Sequence, residues 1–179
     1  IVRDLTMEQE ILQDIAAQFP ERKDIHWSHL NYCLIKAYWR IKSARGEAPK
    51  IEEDGATLLN FGNGYAWQAL LQGEERGDDW EYDGIKLSPD WVKRGYLTIE
   101  VKSTSAYPST KAEPVEEERI LKNETWLRQA MAYCYVGAIK QYAAPSLVNT
   151  FGLCVIHDMG FAKTLRFWKL DFTAQELEA

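Results

Sequence analysis

From Leu97 to Lys102 the chain alternates apolar and polar residues, Leu-Thr-Ile-Glu-Val-Lys, a period of two that an extended strand satisfies and a helix does not. Leu97, Ile99 and Val101 share one face of that strand, and Thr98, Glu100 and Lys102 share the other. With 179 residues, of which 46% are hydrophobic and 12% aromatic, the chain can build one sizeable core, so one domain is expected and this strand should lie within it. A carboxylate and an ammonium on a core strand need a partner or a task, because burying either alone is costly.

The flanking pattern is helical before this strand and mixed after it. Met7, Ile11 and Ile15 predict an amphipathic first helix that opens at Thr6 and ends before Pro20. Ser28 reads as the N-cap of a second helix with Leu30, Leu34, Ala37 and Ile41 as its apolar stripe and Gly46 as its stop. A third helix is expected over 57–72, halted by Gly73. The period then switches to two, with Trp80 and Tyr82 before an Asp83-Gly84 turn, Ile85 and Leu87 after it, and a Gly95 loop leading to the 97–102 strand. Residues 103–114 carry Pro, Ser and Thr without apolar periodicity and read as a mobile loop. A long fourth helix is expected over 115–142, then two strands around 151–157 and 165–172 joined at Met159-Gly160, and a short last helix capped by Thr173.

Charge and cysteine usage narrow the class. A formal net charge of −6 argues against a large nonspecific nucleic-acid footprint, although Lys36, Arg40, Lys42, Arg45 and Lys50 form a local basic run. Cys33, Cys134 and Cys154 are far apart, odd in number and without a C-x-x-C pair, which favours reduced, buried thiols over disulfides or a zinc site. No run approaches the roughly 20 apolar residues of a membrane span, and no secretory leader pattern is present, so a soluble protein without a membrane partner is expected.

Pro89-Asp90 is separated from Glu100 by nine residues, at the end of a strand that the Asp83-Gly84 turn and the Gly95 loop would lay beside the 97–102 strand. Two carboxylates converging on one point suit a hard cation such as Mg²⁺ or Mn²⁺, and Lys102 beside them can steady an attacking water or a developing oxyanion. That combination is phosphoryl chemistry. Pro-Asp, nine residues, then Glu-Val-Lys resembles the PD-(D/E)XK nuclease superfamily, and Gln129-Ala130-Met131-Ala132-Tyr133 resembles the Gln-x-x-x-Tyr signature of its RecB-like branch. Spacing supports a second stripe on the same helix, Lys122, Trp126, Gln129 and Tyr133, beside a core stripe of Ile120, Leu127, Met131, Cys134 and Ala138. Residues 25–40 are similar to the RecB-type exonucleases associated with CRISPR systems and archaeal viruses.

The resemblance implies an α/β restriction-endonuclease-like core with a mixed central β-sheet flanked by helices, spanning 1–179 as one domain, with 1–50 helical and 51–179 the nuclease core. It implies an enzyme that hydrolyses DNA phosphodiesters with Mg²⁺ or Mn²⁺, an exonuclease or single-strand-preferring nuclease acting inside a microbe or a virus-infected host cell. Alternatives are a sequence-specific restriction-type endonuclease and a non-cleaving nucleic-acid-binding subunit of a helicase-nuclease complex. By this resemblance Asp90, Glu100 and the Val101 carbonyl hold the metal, Lys102 positions water, and Gln129 and Tyr133 support the site. The branch often has a metal-ligating His in its third helix; this chain has Gln68 there, whose carbonyl suits magnesium, with Glu74 or Glu75 ranked below it. The branch usually holds an iron-sulfur cluster, but three scattered cysteines cannot supply four thiolates, so none is expected. Single-stranded DNA or duplex ends are the expected partner, met by Lys36, Arg40, Lys122 and Trp126; a homo-oligomer or a helicase partner is left open. His26, His29 and His157 assemble no recognisable metal or triad spacing.

Overall fold

The computed structural model describes residues 5–19, 21–31, 33–72, 78–93, 97–105, 113–140, 149–159 and 162–178. It is an α/β fold built on a mixed four-stranded sheet with helices packed against it. The strands β3 (Trp91–Lys93), β4 (Leu97–Thr104), β5 (Thr150–Met159) and β6 (Ala162–Asp171) lie in that order. β3 is antiparallel to β4, β4 parallel to β5, and β5 antiparallel to β6. A parallel pair needs a long crossover, and α5 (Glu113–Leu121) and α6 (Glu124–Ile139) lie in the connection between β4 and β5. Every residue from Phe151 to His157 is buried, as expected of an inner strand covered on both faces. Gly152 is required there, since a Cβ would come within 2.8 Å of both Ile99 Cγ1 and the Phe167 ring.

The expected hairpin is present as β1 (Trp80–Tyr82) and β2 (Ile85–Leu87), with Asp83 at φ 51° and Gly84 at φ 72° in the turn, but it forms a separate two-stranded sheet: the strand beside β4 is β3, which follows Asp90, and not the hairpin strand that the sequence suggests. Two positive φ values in sequence suit the twist of a two-residue hairpin, and Asp-Gly adopts them at low cost. α6 meets the sheet through Ala130, Tyr133 and Val136, which join Trp80, Leu87 and Phe151 in one buried cluster. Tyr133 stacks on Phe151 with ring centroids 5.7 Å apart, and Trp80 meets Tyr133 edge-on. α4 (Gly55–Gln72) packs on β4 and carries α1 (Leu5–Ala17), and Phe19, just beyond α1, packs on Tyr65 at 5.0 Å and on Phe61 at 5.9 Å. Thr173 caps α7 (Ala174–Glu178) reciprocally, its hydroxyl accepting from the Glu176 N–H while the Glu176 carboxylate accepts from the Thr173 N–H.

Several expectations are corrected. The second helix is two pieces, α2 (Trp27–Asn31) and α3 (Leu34–Ala44), with Ser28 inside α2 rather than capping it. On α3 only Ala37 is buried; Leu34 is 61% exposed, so periodicity there does not mark a core face. Met7 and Ile11 are likewise exposed, because α1 is docked through other residues, among them Leu12, which closes on Gly55. The long fourth helix breaks after Leu121, because Asn123 turns its side chain to accept from the Trp126 N–H at 3.2 Å and starts α6 as a new helix. Cys134 and Cys154 are buried as expected, but Cys33 is exposed. The Gly73 stop, Glu74, Glu75, the Gly95 loop, most of the 103–114 loop, Tyr142 and the Gly160 turn lie outside the described residues. Among those described, no helix is long and apolar enough to cross a membrane.

Candidate functional site

β4 supplies the centre of the site. The β3–β4 register pairs Trp91 with Ile99, and continuing it by one residue sets Asp90 opposite Glu100. Asp90 is locked there from three directions. Its Oδ2 accepts the Val101 N–H at 2.8 Å, its Oδ1 accepts Gln68 Nε2 at 2.6 Å, and its backbone carbonyl accepts Gln72 Nε2. Gln68 and Gln72 are four residues apart on α4 and so face the site together.

The Thr98–Glu100–Lys102 face of β4 is the one α6 reaches, which is why it is polar yet enclosed. Thr98 and Glu100 are both buried. Lys102 Nζ lies 2.5 Å from Glu100 Oε1 and 3.1 Å from Gln129 Oε1, and Gln129 Nε2 donates to Glu100 Oε1 at 2.8 Å. Tyr133, one turn along α6, donates its hydroxyl to the Ser88 carbonyl at 2.7 Å, pinning the segment that leads into Asp90. Burial, and then the Glu100 charge, raise its phenol well above the usual value, so it stays protonated and acts as a donor.

Two carboxylates have been placed where their charges oppose each other. The Asp90 carboxyl is pushed up to about 7, chiefly by burial and next by the charge of Glu100, against the lowering effects of the Val101 N–H, Lys102 and Arg22. Glu100 Oε2 is buried with no hydrogen-bond partner. An unmatched buried oxygen beside a second carboxylate is a demand for positive charge. Among the described residues no third His, Cys, Asp or Glu joins them as a metal cluster. A magnesium-like cation fits that donor set, since it takes one or two carboxylates with water completing its shell.

These groups line one cavity of about 220 Å³, together with Arg22, His26, Ser28 and Lys86. Asp90, Glu100, Lys102, Gln129 and Tyr133 are thus brought together as the sequence predicts. Gln68 joins them through its N–H on Asp90. Lys36, Arg40, Lys122 and Trp126 are not among the residues lining the cavity. Arg40 is paired with Glu53, Lys122 with Glu118 at 2.6 Å, and Trp126 packs against Ile120, Leu153 and Val155. The cationic wall instead comes from Arg22, Lys86 and Lys102, with His26 as a further polar group, although histidine spacing alone shows no pattern there. Gln72 is likewise absent from the predicted set; its i, i+4 relation to Gln68 is the signal that marks it.

No family model and no curated protein matches the chain. Among solved structures, the crystal structure of SSO0001 is similar over 96% of this chain and 82% of that one, at 14% identity and a TM-score of 0.48.

Proposed function

We propose that the chain is a divalent-metal-dependent deoxyribonuclease of the PD-(D/E)XK, RecB-like type. The observation that carries this reading is the pairing of half-buried Asp90 with buried Glu100, with one Glu100 oxygen unpartnered and Lys102 on the other. Asp90 and Glu100 would hold Mg²⁺ or Mn²⁺, with the Val101 carbonyl and the Gln68 amide as neighbouring donors. When bound, such an ion polarises a phosphodiester and lowers the pKa of bound water.

The protein's own groups supply orientation and charge. Gln129 holds the Glu100 carboxylate and the Lys102 ammonium in one set of hydrogen bonds, so neither has to reorganise as charge develops. Lys102 positions the attacking water and offers positive charge to the phosphoryl oxygens. Tyr133 and Gln72 act one step further out, by fixing the backbone that carries Asp90.

The test is digestion of end-labelled single-stranded, blunt duplex, nicked and circular DNA with magnesium, manganese or chelator. Metal-dependent loss of linear substrates supports the reading. Cutting of closed circles at fixed positions would favour a restriction-type endonuclease, and binding without cutting under any metal would make the chain a nucleic-acid-binding subunit.

A further inference from the structure

The cavity has a second wall that the carboxylate chemistry leaves unused. The segment from Arg22 to Ser28 is fastened to β2, where the Lys86 N–H donates to the Ile25 carbonyl at 2.8 Å and His26 bridges Lys86. α2 is fastened to α6 by Asn31 Nδ2, which donates to the Thr125 carbonyl at 2.7 Å. These tethers bring Arg22, His26 and Ser28 to the cavity that Asp90, Glu100 and Lys102 also line. His26 is buried, and its Nδ1 accepts from Arg22 at 3.4 Å, which leaves the ring proton on Nε2. Burial first, then the charges of Arg22 and His29, lowers the His26 pKa to about 4, so the ring is a neutral N–H donor at neutral pH. Arg22 is exposed, yet its charge is felt at Asp90, where it lowers the carboxyl.

We infer that Arg22, His26, Ser28 and Lys86 form a subsite for a terminal phosphate of the DNA strand, an inference that rests on the nuclease reading above. The wall offers donors of the right kind: a guanidinium fork, an imidazole N–H, a hydroxyl and an ammonium shared with Asp24 at 2.6 Å. A terminal phosphomonoester carries about −1.5 to −2 charge, more than an internal diester, and gains correspondingly more from Arg22. A cavity of about 220 Å³ has room for a phosphate beside the carboxylates. The donors and the carboxylates line the same cavity, so a terminus seated on Arg22 brings its adjoining linkages toward Glu100 and Lys102. Cutting then begins at phosphorylated ends, although the chain as a whole is acidic.

Oligonucleotides bearing phosphate or hydroxyl at the 5′ or the 3′ terminus test this, through initial cutting rates in manganese and fluorescence anisotropy in chelator. Phosphate at one terminus is expected to raise both rate and affinity by about tenfold, the scale of one charge-assisted contact. Inorganic phosphate should compete that gain away, Arg22→Gln should bring phosphate and hydroxyl ends level, and Arg22→Lys should restore part of the difference. Equal rates and affinities for both kinds of end in the wild type overturn the subsite, and the nuclease reading then stands or falls on metal-dependent cutting alone. If no DNA is cut with any metal, the nuclease reading falls and anisotropy decides the subsite. A phosphate-dependent affinity lost in Arg22→Gln then upholds it, and none overturns it.

Discussion

Gln129 donates to Glu100 Oε1 at 2.8 Å while accepting Lys102 Nζ at 3.1 Å, so one amide on α6 holds both charged groups of β4. The other Glu100 oxygen is left unpartnered. One carboxylate oxygen thus shares the amide and the ammonium, and the other is the oxygen that the proposed cation would take.

Glu100→Gln should abolish metal-dependent cutting, by on the order of 10³ or more, with little change in fold. The amide keeps the volume and can still accept from Gln129 and Lys102. Far-ultraviolet circular dichroism and thermal melting should match the wild type while digestion fails; a variant that cuts at the wild-type rate would sink the assignment.

Lys102→Ala should lower turnover about a hundredfold and DNA affinity by a factor of about three or less, because its interaction grows as charge develops on the phosphate. Single-turnover rates and anisotropy separate the two. A loss confined to affinity would make Lys102 a phosphate clamp.

The raised Asp90 carboxyl gives a pH dependence of definite sign. The folded chain keeps this proton up to about 7, whereas an unfolded aspartate releases it near 3.8, so Asp90 lowers stability as pH rises through that window. Asp90→Asn should therefore raise Tm at pH 8 and change it little at pH 4, with Gln68 free to rotate its amide and present oxygen to the new NH₂. For the wild type, metal must displace this proton below about 7, so calorimetric Mn²⁺ affinity should fall from pH 8 to pH 6. Affinity that is flat over this range would remove Asp90 from the metal set.

Gly152→Ala should cost about 1–3 kcal/mol in urea unfolding, since the added methyl meets Ile99 and Phe167 at 2.8 Å across the centre of the sheet. A change under about 0.5 kcal/mol would show that Phe167, half exposed on β6, turns aside without penalty.

Much of the site could be read locally. The period of two in Leu97–Lys102, the Asp83-Gly84 turn and the four-residue spacing of Gln129 and Tyr133 are each properties of a few adjacent residues, and each reappears in the structure. Glu100 and Lys102 on one face follow from the pleat alone. What covers that face does not. The parallel pairing of β4 with β5 requires a crossover, and it is this crossover that carries α6 over the polar face and buries Gln129 and Tyr133, a stripe with no hydrophobic signature to announce it. Tertiary structure also decided that Arg22 and His26, more than 60 residues before Asp90 in sequence, share its cavity, through a backbone bridge to Lys86 that no side-chain pattern encodes. Periodicity reports how a segment can be amphipathic; which surface meets it is fixed by long-range pairing, and that is why α3, patterned like a core helix, leaves Leu34 and Ile35 in solvent while the charged strand lies inside.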